Sequence, residues 1–149
     1  MLRPVVTAIL VAGVATVAAQ TPRPHAPQPP APQVVGTMSE LMVQMIYPTS
    51  DAIFYISTRT PKTDQEWLEL QAKTLTLAES ANLLMMPSRA RGRDQWLKDA
   101  KLMLDAGAAA FKAAKAKDVA ALEALSDQLL ESCTTCHQHF RANYGKRGL

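Results

Sequence analysis

The sequence predicts an all-α domain, an antiparallel up-down four-helix bundle. Two observations carry that prediction. Four segments repeat apolar residues at spacings of three and four, the period of one helical face. The breaks between them are short and hold proline, glycine or capping residues, so consecutive helices must turn back on each other. Composition agrees: aromatic residues make up 5% of the 149-residue chain and there are only 6 glycines. Ala, Leu, Met, Lys and Glu, all good helix formers, dominate the second half.

The bundle should begin near Val34. Met38, Leu41, Met42, Met45 and Ile46 mark one apolar face, continued by Ala52, Ile53, Phe54 and Ile56. The spacing predicts a first helix over 34–57, kinked or briefly broken near Pro48, which lacks an N–H and crowds the preceding turn. Pro61 marks the next loop. Thr63 or Asp64 can cap a second helix over 64–86, with Glu66 in its first turn. Its stripe is Trp67, Leu70, Thr74, Leu77, Ala78, Ala81, Leu84 and Met85, and Pro87 stops it. After a basic loop containing Arg89, Arg91 and Arg93, Asp94 is expected to cap a third helix. Trp96, Ala100, Met103, Gly107, Ala110, Phe111 and Ala114 should face inward, with Lys98, Asp99, Lys101, Asp105 and Lys112 wet. Lys117-Asp118 breaks the pattern, and Asp118 is a good cap for the fourth helix. That helix carries Leu122, Leu125, Leu129, Cys133, Cys136, His137 and Phe140 on one face. Residues 145–149 read as a frayed basic tail.

The N-terminus reads as a targeting segment. A short positive start, Met1-Leu2-Arg3, precedes an apolar or small-residue run of about fifteen residues from Val5 to Ala19. Val17-Ala18-Ala19 offers small residues for cleavage. The run is shorter than the roughly 20 residues a spanning helix needs. Residues 1–19 are therefore expected to be a signal peptide, with no stable membrane insertion. Residues 20–33 hold Pro22, Pro24, Pro27, Pro29, Pro30 and Pro32 and read as an extended linker. His25 within it is most simply solvated. The bundle takes residues 34–149.

The net charge is +3 with pI about 9.0. The charges are scattered, without the dense basic stripe and interleaved aromatics of a nucleic-acid binder. The acids do not pair into a hydrolase constellation, which argues against an enzyme.

The chemistry lies in Cys133-Thr134-Thr135-Cys136-His137. Cys-x-x-Cys-His is the pattern for covalent haem attachment, in which two thiols form thioethers with the haem vinyl groups. His137 follows as proximal iron ligand. Positions i, i+3 and i+4 share one helical face, so one stripe holds all three groups. Three blander readings exist. A thioredoxin-like redox pair belongs at a strand-to-helix turn, and no strand pattern precedes Cys133. A zinc site needs about four ligands, and His139, two residues from His137, points elsewhere on a helix. A Cys133–Cys136 disulfide would close a tiny loop and constrain little. One covalently attached haem c is the expectation. Its maturation outside the bacterial cytoplasm agrees with the export signal and places the protein in the periplasm.

The haem motif sits in the last helix, after three others. In this the chain resembles the class II c-type cytochromes, the cytochrome c-prime family, over residues 34–141. Cys133-Thr134-Thr135-Cys136-His137 carries the likeness, with Phe140-Arg141 completing a His-x-x-aromatic-basic pattern. Asp94-Gln95-Trp96 and Lys117-Asp118-Val119, opening the third and fourth helices, add to it. The resemblance implies haem near one end of the bundle between the first and fourth helices, a basic neighbour of the proximal histidine at Arg141, and often a homodimer through the first two helices.

The sixth coordination position separates two functions. A methionine there gives an electron carrier, because the soft thioether raises the reduction potential. An empty, apolar-walled position lets iron bind small gases such as NO or CO. The early turns of the first helix, which should face His137, contain Met38, Met42 and Met45. The family's spacing puts the distal position close to Met42, where its better-known members place leucine. Methionine is also a common core filler. Met42 is the preferred ligand, with Met38 and Met45 as alternatives. The expected role is Fe(II)/Fe(III) electron transfer with redox partner proteins, closest to the family's low-spin methionine-ligated members.

Overall fold

The computed structural model describes residues 31–145. The expected signal peptide, most of the proline linker with His25, and residues 146–149 lie outside the described residues. The chain divides into Met1–Ala31 and Pro32–Leu149; the second unit is a bundle of four helices, and no strand occurs among the described residues.

Helix α1 runs through three consecutive segments, Met38–Glu40, a π-helical Leu41–Ile46, and Tyr47–Phe54. It begins four residues later than the apolar pattern predicts. Thr37 and Glu40 form a capping box: Glu40 N–H donates to Thr37 Oγ1 at 3.2 Å and Thr37 N–H to Glu40 Oε2 at 2.7 Å. Val34 and Val35 stay exposed ahead of it. Pro48 does not break the helix. Its nitrogen has no hydrogen to offer the preceding turn, and the backbone widens upstream, where Tyr47 N–H donates to Met42 O. The Thr49 hydroxyl donates to Met45 O at 2.6 Å and Ile46 O at 3.0 Å, serving carbonyls beside the proline. In the widened turn, residues five apart align, so Leu41 and Ile46 are both buried.

Helix α2 spans Asp64–Leu84 and α3 spans Arg93–Ala116. Thr63 is the α2 cap, in a second box with Glu66. The helix ends two residues before the expected stop, and its terminal carbonyl at Leu84 accepts from the Trp96 indole at 2.7 Å. The expected α3 cap at Asp94 is wrong. Gly92, in the left-handed region at φ 52°, precedes the helix, and Asp94 sits inside the first turn. The expectation that Asp99 is wet is also wrong, since it is 2% exposed. Helix α4 comprises Val119–Ala124 and Ser126–Phe140, interrupted at Leu125, and is capped by Asp118, whose Oδ1 accepts from Ala121 N–H at 2.9 Å.

Contacts at both ends show that neighbours are antiparallel. Lys117, after α3, is ion-paired with Asp64, which opens α2, while Leu84, ending α2, meets Trp96 early in α3. Late in α4, His139 reaches Asp99 early in α3. Arg89, after α2, donates to Gly36 O ahead of α1 at 2.9 Å. Ile53, Leu77, Leu122 and Leu129 fill the centre, each at 1% exposure or less.

The α2–α3 approach depends on Gly107. A Cβ there would lie 2.9 Å from both Cα and N of Ala78, which is backbone that cannot swing aside. Gly107→Ala is therefore expected to destabilise the fold by about 2 kcal/mol despite better helix propensity, read as a lowered urea midpoint. A neutral or stabilised variant would show that the helices are free to separate.

Candidate functional site

Cys133, Cys136 and His137 lie in the last turns of α4, on the face turned toward α1 and α3. Each is half-buried. Two adjoining cavities meet there. The larger, about 200 Å³, lies between Met38 and Met42 of α1, Trp96 of α3, and Cys136, His137 and Phe140 of α4. The exposed Arg91 and Arg141 complete its wall. The smaller, about 40 Å³, continues inward past Ile46, Asp99, Met103 and Cys133. Met42, Cys136 and His137 line both. Trp96 packs edge-on against Phe140 at 4.9 Å between ring centroids, fixing the wall behind the larger cavity.

The structure thus brings together six of the seven residues expected from sequence. Met42 and Met38 stand across the cavity from the cysteine–histidine face. Met45 does not join them; it lines a separate recess with Gly36, Leu83 and Met86. The π-helical register explains the parting, because residues three apart no longer share a face in a widened turn. Larger recesses elsewhere, such as the one around Thr58–Lys62, contain no thiol or imidazole.

The local electrostatics suit ligation more than thiol exchange. Burial pushes the Cys133 thiol up, with the Ser132 hydroxyl opposing. Cys136 is pushed up to about 11, first by burial and then by the negative charges of Asp99 and Cys133. Disulfide-exchange cysteines are shifted the other way, toward the thiolate. Burial lowers the His137 pKa, and the Arg141 guanidinium lowers it further, which favours the neutral imidazole a metal requires. With the thiols unmodified, Cys136 is expected to react with iodoacetamide only as pH approaches 11, remaining about a hundredfold slower at pH 8 than an ordinary thiol. The same raised pKa makes the thiol form favour the folded state. That contribution is whole below the ordinary thiol range, near 8.5, and is lost as pH rises toward 11. Alkylation rates against pH check this, and rapid reaction at pH 8 would contradict it.

Among the described residues no three His, Cys, Asp or Glu side chains gather closely enough to hold a metal ion. A zinc bound by side chains alone lacks its donor set there. A macrocycle that brings its own four nitrogens needs only axial ligands, and the donor set of this cleft fits that demand. The enclosed volume is below the roughly 300–1,000 Å³ of ordinary ligand pockets. A cavity of that size has room for no more than the edge of a large flat group, and Met38, Met42, Arg91 and Arg141 in its wall are unbranched side chains able to change rotamer.

Two features escaped sequence reading. Asp99 lies beneath the cysteine face, its Oδ1 accepting from Gln95 Nε2 at 2.8 Å and its Oδ2 paired with His139 Nδ1 at 2.7 Å. Its position three after Trp96 and four before Met103, on the apolar stripe, was the available signal. Arg91 was read only as a loop charge. No family model, curated protein or solved structure matches this chain.

Proposed function

We propose that this chain is an exported electron carrier of the class II c-type cytochrome kind, with one haem c on Cys133 and Cys136 and no catalytic turnover of its own. The observation that carries the reading is the placing of both thiols and the His137 imidazole on one α4 face, against an apolar cleft whose opposite wall is Met42. When bound, haem supplies a one-electron Fe(II)/Fe(III) couple. The chain's residues do the rest. Cys133 and Cys136 fix the group to α4. His137 offers a neutral ring nitrogen. Met42, in both cavities, would be the preferred sulfur donor to the iron, with Met38 next. Trp96 and Phe140 exclude water from the cleft. Arg141 and Arg91 stand at the outer wall of the cavity, where they set a positive potential at its mouth. The periplasm, an unembedded state and protein redox partners follow from this reading together with the leader at residues 1–19.

Absorption spectra of the purified full-length protein in both redox states, with and without carbon monoxide, test it. A six-coordinate low-spin spectrum with a methionine-to-iron band is expected. A high-spin spectrum that changes under carbon monoxide would instead assign a gas-binding role. Met42→Leu is expected to abolish the methionine band, lower the reduction potential and open the site to carbon monoxide. A variant spectrum equal to wild type would remove Met42 from the coordination sphere.

A further inference from the structure

We propose that the end of the bundle bearing Arg91, Arg93 and Arg141 is a docking face for an acidic one-electron redox protein. The proposal rests on the haem reading above and adds the partner's chemistry and the face it meets.

Charge is sorted along the bundle. Arg91 and Arg141 line the larger cavity. Gly92 packs against Phe140, where an added Cβ would lie 3.7 Å from Cε1. Arg91 and Arg93, on either side of Gly92, therefore flank the cavity mouth. Arg89, from the same loop, donates to Gly36 O, and its buried Nε has no hydrogen-bond partner. Among the described residues, none of these four arginines is in a salt bridge. The carboxylates of that end are Glu40, which is engaged by Thr37, Asp94, and the buried Asp99, which is paired with His139.

The opposite end differs. There Arg59 is paired with Asp51 at 2.7 Å, and Lys117 is paired with Asp64. Lys62 and Lys73 line one recess there with Glu66 and Glu69, and Lys115, in the last turn of α3, lies near the Asp118 cap. Cations at that end are matched by acids, whereas Arg91, Arg93 and Arg141 at the cavity end are in no salt bridge among the described residues.

Such a separation orients an approaching anion before contact and directs it to one end. Guanidinium forks pair with carboxylates in two-pronged fashion, which suits an acidic protein surface. A membrane is disfavoured, because the aromatic residues of this end are not presented as a wedge: Trp96 is buried and Phe140 and Tyr144 are half-buried.

The test uses the haem-loaded full chain, reduced and mixed with hexacyanoferrate(III). One electron passes to the oxidant, giving hexacyanoferrate(II), and no proton moves. Arg93→Glu is compared with Lys62→Glu, which makes the same change in net charge at the other end. Arg93 is exposed at the first position of α3, where an acid favours the helix dipole, so the variant retains the fold. At about 10 mM ionic strength, Arg93→Glu is expected to slow the reaction about tenfold and Lys62→Glu by less than about threefold. The difference should shrink below about twofold near 0.5 M salt. With the cationic oxidant tris(phenanthroline)cobalt(III), Arg93→Glu should be faster than wild type.

Equal rates for both variants at all salt concentrations, with a normal haem spectrum, would overturn the docking face alone. A colourless protein would overturn the haem reading with it, and the spectrum distinguishes the two failures. Sedimentation of wild type with phosphatidylglycerol vesicles at about 0.15 M salt, lost in Arg93→Glu, would assign the face to a lipid surface and overturn the proposal.

Discussion

Replacing Cys133 and Cys136 together by serine is expected to yield an exported chain without covalent pigment, its intact mass equal to that of the polypeptide alone. Serine keeps nearly the same volume, and both positions are only half-buried. The helix face therefore survives, but a hydroxyl does not add to a vinyl group as a thiol does. His137 and Met42 remain, so any haem retained is held without a covalent link to the chain and is extracted by denaturant or acid solvent. Each single variant leaves one thioether and a pigment still attached. The expected order is wild type, either single variant, then the double variant, in covalent haem per chain measured by mass after unfolding. A colourless wild-type protein from a host competent in cytochrome maturation would end the haem reading, and unchanged pigment in the double variant would exclude these sulfurs as its attachment. Two readily oxidised thiols in wild type would return the disulfide-exchange reading, against the raised Cys136 pKa.

The helices were legible in the sequence because their apolar stripes are long and their caps are chemically distinctive. Thr63 and Asp118 cap α2 and α4 through side-chain oxygens. The start of α1 was written equally plainly, as Thr37-x-x-Glu40, but the apolar Val34 and Val35 extended the pattern past it. The α3 start was less readable, since Gly92 caps by its backbone angle and leaves no side-chain signature. The π-helical turn was hidden for a different reason. Periodicity at three and four assumes the α register, and Pro48 signals a disturbance without saying how the backbone absorbs it. The hidden turn also governs which of the three methionines stand across from the cysteine–histidine face. Met38, Met42 and Met45 look equivalent at α spacing, and only the widened turn separates Met45 from the other two.

Local spacing sufficed for the cysteine–histidine face, because all three residues belong to one helix. It did not suffice for Asp99 and His139, which are 40 positions apart. Each alone reads as a solvated polar residue. Only the antiparallel packing of α3 on α4 brings them to 2.7 Å, with the carboxyl carried inside. Polar residues on an apolar stripe are thus read correctly only with their distant partner in hand.

This pair carries the second large prediction. Asp99 is 2% exposed while the His139 side chain is 43% exposed, so the two partners are not equivalent. Removing Asp99 leaves groups that water can reach: His139 at the surface and Gln95 on an exposed turn. Removing His139 leaves a buried carboxyl with Gln95 alone. Stranding a buried charge is the costlier event. His139→Ala is expected to lose about 3 kcal/mol, toward the low end for a broken buried pair. Asp99→Asn, which keeps the shape and sheds the charge, should lose about 1 kcal/mol. The double variant should be more stable than His139→Ala alone, because the asparagine removes what the histidine had compensated. Urea midpoints at constant slope measure all three. Additive losses, near 4 kcal/mol in the double variant, would show that the two side chains act independently. The coupling bears on function through position. His139 lies two residues beyond His137, and Asp99 lines the inner cavity with Cys133 and Cys136. The same contact that closes the end of α4 onto α3 therefore holds the thiol and imidazole face toward the cleft. A variant that loses it should show broadened, heterogeneous haem spectra before it unfolds.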